Sequence, residues 1–411
     1  MTLPPGFRIR TRMAARDTSE EHRVSSPLEL LFDLTFVVAI AQIAGQLANH
    51  IERGHGASAI IPFLMVFFAI WWAWMNFTWF ASSYDTDDVA YRLLTLLQMG
   101  GVLVLAAGVP TAFDSQNFFG ITLGYFIMRV GLVAQWMRAA IENPDGRRTA
   151  VRYAVGVTVV QLGWLARQFV PVTAANVALT VYLPFVILAA LELTVPFWAE
   201  RTGGTAWHPH HIAERYGLFT IILLGEGVAA LAGAVQLILN AGAPTPALVT
   251  VGIAALVLIF ALWWLYYLQP AGAGLQRHRD RSYLWGYGHY AVFAALAALG
   301  GALEVVVHFA GGHSEVSPVV ASYAIAVPTA VYLLFLWAVN AIVVRRPIVR
   351  ARVIVPTTIV TLLIPLGAGV VGMPVAFALV VLVVVVAVVI TVVEKDLASR
   401  RAQRNGKTSD S

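Results

Sequence analysis

The chain has 411 residues, 59% of them hydrophobic and only 12% charged, where an average soluble domain carries about 25% charged residues. That leaves too little polar surface to cover a globule in water, and the surplus apolar surface needs lipid. The absence of cysteine excludes disulfides, thiolate metal sites and cysteine nucleophiles. The net charge of +5 does not point to nucleic acid, because the basic residues sit between long apolar runs.

The first 26 residues hold five arginines and no apolar segment, so they read as a basic tail rather than a cleavable leader. About 20 apolar residues span the hydrocarbon core. Twelve runs reach that length: 27–49, 58–80, 89–111, 118–137, 150–170, 177–198, 215–238, 246–268, 284–308, 318–342, 353–370 and 373–393. The predicted fold is therefore all-α, a polytopic transmembrane bundle of about 12 helices. Ser26-Pro27, Thr245-Pro246 and Ser317-Pro318 each set a capping hydroxyl before a proline at the first helical position. With the N-terminus inside, 23 Lys and Arg fall on the cytoplasmic side, Arg215 among them, and two (Arg53 and Arg167) fall outside. Arg92 and Arg129 lie within helices. This bias places both termini in the cytoplasm.

The expected organisation is a tail over 1–26, a first half over 27–198, a cytoplasmic linker over 199–214, a second half over 215–393 and a polar tail over 394–411. Glu29 to Thr35 and Glu214 to Thr220 share a Glu and Thr spacing, which suggests a 6+6 parallel repeat of the kind some transporters use.

Charge inside a helix is costly, about 2.5–3.5 kcal/mol at the centre, so each interior charge needs a partner, water or a function. Glu29 and Asp33 share a face four residues apart. Glu29 reads either as the third residue of a capping box with Ser26 or as half of a protonatable carboxylate pair. Asp33 is too deep to cap and reads as a buried pair with Arg92 or as part of a polar site. Asp33, Arg92, Glu192 and His289 fall at one depth, Arg129 and Glu226 near the midplane, and Glu304 with His308 towards the outer side. Glu214 opens the seventh segment, where the helix dipole favours negative charge. Glu226, between Gly225 and Gly227, is the leading functional candidate, the structural reading being an ion pair with Arg129; the glycines permit a close backbone approach or a local break. His208, His210 and His211 read as a solvated loop more than as a metal site. The tryptophans of the second segment, Trp71, Trp72, Trp74 and Trp79, read as apolar-pocket lining or packing. Trp263, Trp264, Tyr266 and Tyr267 read as an interfacial belt.

Several stretches resemble the bacterial low temperature requirement protein A family: Pro27-Leu-Glu29-Leu-Leu-Phe32-Asp33-Leu-Thr-Phe36 with Gln42; Tyr84-Asp-Thr-Asp87-Asp88 with Arg92 and Gln98; Glu214-Arg215-Tyr-Gly217 through Gly225-Glu226; and Tyr287-Gly-His289 with Glu304. The family commonly has a serine after its glycine and glutamate, where this chain has Gly227. The resemblance implies a multi-pass membrane protein linked by name to growth at low temperature, and sharpens the choice of residues more than the activity.

No P-loop, metalloprotease or dinucleotide motif is present; Gly406-Lys407-Thr408 stands in a polar tail. The expected function is a proton-coupled secondary transporter of a small solute in the bacterial inner membrane. Its substrate or proton pathway would draw on Glu29, Asp33, Arg92, Gln98, Arg129, Glu192, Glu214, Glu226, His289 and Glu304. No cofactor, metal or nucleic acid is expected, and the partners are the bilayer, protons and a solute. The rival readings are a non-transporting stress or accessory protein and an intramembrane lipid-modifying enzyme.

Overall fold

The computed structural model describes residues 9–16, 24–171, 176–240, 245–343 and 347–409, with the side chains of 202, 240 and 401–409 left aside. Arg8, Arg23, Arg345 and Arg346, and the side chain of Lys407, lie outside the described residues. Twelve helices are long and apolar enough to cross a membrane: α1 Pro27–Glu52, α2 Gly56–Tyr84, α3 Val89–Ser115, α4 Phe119–Glu142, α5 Arg147–Arg167, α6 Ala178–Ala199, α7 Pro209–Leu239, α8 Pro246–Arg277, α9 Arg279–Ala310, α10 Pro318–Val343, α11 Ala351–Val371 and α12 Met373–Arg400. No strand occurs among the described residues. The predicted all-helical architecture and the number of spans both hold.

The starts follow local chemistry. Ser26 and Glu29 form the expected capping box, Ser26 N–H donating to the Glu29 carboxylate at 2.7 Å and Glu29 N–H to the Ser26 hydroxyl at 3.3 Å. The Thr245 and Ser317 hydroxyls accept from Leu248 and Val320 N–H at 3.2 Å each. Asp88 caps α3 by accepting from Tyr91 N–H.

Several helices are less regular than their apolar runs suggest. Gly108 breaks α3 into Val89–Ala107 and Val109–Ser115. A π-helical turn, Ala178–Tyr182, opens α6. A 3-10 turn at Ile364–Gly367, containing Pro365, interrupts α11. The boundary correction that matters for the polar residues concerns α7, which starts at Pro209 rather than 215. Its first two turns come from the stretch expected to be a linker, because Pro209 supplies a fixed φ at the helix start.

The chain divides into two compact units, one of residues 1–43 and 61–215, the other of residues 44–60 and 216–411. In the first, α3 packs on α4, α4 on α5 and α5 on α6. The α3–α4 contact is built on glycine. A Cβ on Gly108 would stand 2.7 Å from the Gly120 backbone, one on Gly120 2.7 Å from Gly108, and one on Gly101 2.7 Å from the Gly124 carbonyl. Gly120 and Gly124 form the small-xxx-small spacing that lets membrane helices approach closely. In the second unit α9 packs on α10, α10 on α11, and α8 on α12.

Candidate functional site

Three sets of polar side chains are held inside the helices, two in the first unit and one in the second.

Near the start of α1, Glu29 and Asp33 are both 1% exposed and share one cation, Arg215, which is fully buried. Arg215 Nη1 lies 2.9 Å from Glu29, and Nε and Nη2 donate to Asp33 at 3.0 and 2.5 Å. His211, one turn earlier on α7, lies 3.1 Å from Glu29. The Trp74 indole donates to Asp33 at 2.7 Å. The i, i+4 spacing of Glu29 with Asp33 and of His211 with Arg215 puts each pair on one helix face. This corrects three expectations. Arg215 is not a loop residue. Asp33 pairs with Arg215 and not with Arg92. Of the three histidines read as a solvated loop, His208 and His211 are buried, while His210 is exposed. Arg92 forks onto Asp87 with two 2.8 Å contacts and is 39% exposed, so it stands outside any buried site.

Deeper in the first unit, Glu192 on α6 accepts from four donors. Trp72 donates at 2.8 Å, Tyr125 at 3.0 Å, Arg129 at 3.1 Å and Trp164 at 3.3 Å. Arg129 also donates to the Tyr125 hydroxyl and lies over its ring, 4.4 Å from the centroid. Both charges are at most 2% exposed. Such a pair survives burial because every lone pair of the carboxylate finds a donor. The partner of Arg129 is therefore Glu192 and not Glu226. The α2 tryptophans gain a role the sequence does not suggest: Trp72 and Trp74, on opposite sides of the helix, each hold a buried carboxylate by an indole N–H. Gln98 joins a separate amide chain, donating to Gln135 at 2.9 Å, which donates to Thr95 at 3.1 Å. Glu214 stands in the second turn of α7, half-buried, and accepts from Ser25 N–H at 3.4 Å.

In the second unit Glu226 projects from an unbroken α7 against α9, where a Cβ on Gly300 would lie 2.6 Å from the Glu226 Cβ. Of its flanking glycines, Gly227 is packed against Ile259 and Leu303 and Gly225 is open. One turn along α9 from Gly300 stands Glu304, whose charge reaches Glu226. One turn further, His308 Nδ1 lies 2.8 Å from Glu52 Oε1, and both groups act on Glu304 electrostatically. Gly300, Glu304 and His308 thus mark one stripe of α9 with Glu226 at one end and Glu52 at the other. His308 pairs with Glu52, and among the described residues neither Glu226 nor Glu304 meets an arginine or lysine. His289 is apart from this row. It is buried among Tyr216, Trp285 and Phe293, with Nδ1 on the Trp285 carbonyl at 2.8 Å and Nε2 3.3 Å from the Tyr266 hydroxyl.

The ten predicted residues thus fall into separate groups: Glu29 with Asp33, Arg129 with Glu192, Glu226 with Glu304, and Arg92, Gln98, Glu214 and His289 each elsewhere. No group of three His, Asp or Glu residues that could hold a metal occurs among the described residues. Arg215, His211 and Glu52 are the polar residues the sequence reading missed. Arg215 had a signal, since it stands at the head of a long apolar run and falls one turn past His211.

Twelve spanning helices with ionisable side chains buried among them define a multi-pass membrane protein. The chain belongs to the family described as bacterial low temperature requirement A protein, which it matches over residues 24–392. It is similar to an uncharacterized protein, RA0937, of Rhizobium meliloti (strain 1021), at 24% identity over 299 residues, 70% of each chain. No solved structure matches it significantly.

Proposed function

We propose that the protein is a proton-coupled secondary transporter of a small solute in the bacterial inner membrane, with both termini cytoplasmic and Glu226 as its coupling carboxylate. The observation that carries this reading is the row Glu226–Glu304–His308–Glu52. The fully buried charges are closed: Glu192 has Arg129, and Glu29 with Asp33 have Arg215. In this row the negative charges outnumber the one group that can answer them. These groups are half-buried, and wherever they are kept from water a surplus of charge is costly, so protons or a cation would neutralise it. The groups stand about one helical turn apart, a spacing suited to passing a proton from the helix ends to the middle of α7. Asp33 and Arg92, expected to share this work, are assigned to holding the fold, because each is bound in an ion pair of its own.

The test is made in proteoliposomes with an imposed pH gradient and an entrapped pH dye, challenged with pools of amino acids, organic acids, sugars and monovalent cations. At least one pool should dissipate the gradient, and Glu226→Gln should abolish that response while the purified variant keeps the wild-type elution profile. Silence across all pools, or an undiminished response from Glu226→Gln, overturns the reading. The alternative of a non-transporting accessory protein draws support from the closed networks of the first unit; it predicts that Glu226→Gln leaves growth in the cold intact.

A further inference from the structure

We infer that the first unit carries a binding site for an anionic phospholipid, built from the Arg167 guanidinium and an apolar cleft between α2, α4, α5 and α6. The cleft is lined by Met65, Phe68, Phe118, Ile121, Trp164 and Phe185, with Arg167 at its rim and Thr122 and Tyr125 in its wall. Its cavity volume is about 20 Å³, room for about one water or one methyl group.

The chemistry of the lining selects the ligand. Both hydroxyls are already engaged. Thr122 accepts from Gln168 Nε2 at 2.7 Å, and Tyr125 donates to Glu192 at 3.0 Å. Apart from Arg167, the cleft therefore offers a sugar or another many-handed polar solute few groups to bond. Arg167 is the exception. It ends α5, half-buried, and among the described residues its guanidinium meets no carboxylate. Instead it lies over two rings, 5.1 Å from the Phe118 centroid and 5.8 Å from that of Trp164. Aromatic faces hold a guanidinium in place without neutralising it, and its donor edge stays available to an oxyanion. One unanswered cation beside a slot of aromatic and aliphatic walls fits a molecule with one anionic head and an apolar remainder.

The helices that form the cleft also indicate the source. In the same turns as the lining residues stand Leu64, Phe119, Leu183 and Val186, exposed by 40%, 58%, 50% and 62%. Exposed apolar side chains on these turns suit contact with lipid, so a bilayer lipid is the ligand that fits. The phosphate of a lipid bound there would take a forked pair of hydrogen bonds from Arg167, with no more than a methyl-sized part of the lipid entering the cleft beside Met65 and Phe68.

The experiment is native mass spectrometry of the full chain released from nanodiscs of equal parts phosphatidylglycerol and phosphatidylcholine. The wild type should retain phosphatidylglycerol about fivefold over phosphatidylcholine, the ratio expected from one guanidinium near a headgroup. Arg167→Gln should bring the ratio to about one, and Arg53→Gln should leave it unchanged. Ala69 also lines the cleft, and Ala69→Phe, which fills it but keeps the cation, should also lower the retention, so the inference stays testable if Arg167→Gln fails to fold. Equal retention of the two lipids by the wild type, or an unchanged preference in both cleft variants, overturns it. Displacement of the lipid by millimolar glycerol 3-phosphate would also overturn it, because the site would then be one for a soluble anion.

Discussion

At the scale of single residues, the Arg129–Glu192 pair has an asymmetry that can be measured. Glu192 serves four donors, whereas Arg129 serves one carboxylate and one phenol. Removing Arg129 leaves a buried carboxylate that still receives three neutral hydrogen bonds. Removing Glu192 strands a guanidinium, two indoles and a hydroxyl. Breaking a buried pair costs about 3–5 kcal/mol, and each stranded donor adds about 1–3 kcal/mol. Glu192→Leu should therefore destabilise by at least about 2 kcal/mol more than Arg129→Met, measured by reversible denaturation in mixed micelles. Equal losses would show that the salt bridge alone, and not the donor set, sets the cost.

Asp88 makes a prediction about pH. Burial pushes its carboxyl pKa up, but hydrogen bonds from Arg138, Thr11 N–H and Tyr91 N–H win and hold it at about 2. A carboxylate depressed in the folded state stabilises that state fully above its unfolded value, near 3.8. This contribution fades as the pH falls through the folded value. Residues 9–16 lean on this group: Thr11 N–H donates to Asp88 at 2.8 Å, Arg138 donates to the Thr11 carbonyl at 2.7 Å, and Met13 N–H reaches Glu142 at 2.6 Å. Amide exchange at Thr11 should stay slow from neutral pH to about 4 after correction for intrinsic rates, then quicken towards pH 2. Asp88→Asn should quicken it at every pH.

At the scale of elements, α3 and α4 owe their closeness to glycines that leave no side chain between the backbones. Gly124→Ala should force the helices apart and destabilise by about 1–3 kcal/mol, an overpacking cost. Gly100→Ala, one residue from Gly101 but with nothing within 4 Å, is the control and should be neutral or better. What the sequence discloses also divides at this scale. Helix number, the hydroxyl caps and the Ser26–Glu29 box were legible, because apolar length and capping chemistry are local. The start of α7 was not, because Pro209 follows Trp207 and His208 in a stretch whose polarity imitates a loop. The partner of Asp33 was hidden for a different reason. Depth estimates rank residues along a helix axis but carry no information about which helices are neighbours, so Arg92, at the estimated depth of Asp33, stands as the candidate until packing selects Arg215. The same limit applied to Arg129, which lay near Glu226 in estimated depth and binds Glu192.

At the scale of the whole molecule, the proposed orientation can be tested on an unusually clean background. The chain has no cysteine, so single cysteines introduced at exposed positions report without interference. Arg12→Cys and Asp396→Cys should react with a membrane-impermeant maleimide only after the cells are opened, and Arg53→Cys should react in intact cells. Labelling of Arg12→Cys in intact cells would invert the topology and, with it, the side from which protons reach Glu52.

Gly300 has one more consequence. Glu226 rests on the bare backbone of α9, with no side chain between them to absorb a displacement. On the proposed function, sliding α9 along its axis carries Glu304 past Glu226, and loading Glu226 with a proton changes how closely α9 can sit. Charge state and helix position then behave as a single mechanical coordinate, like the pin and cam of a lock.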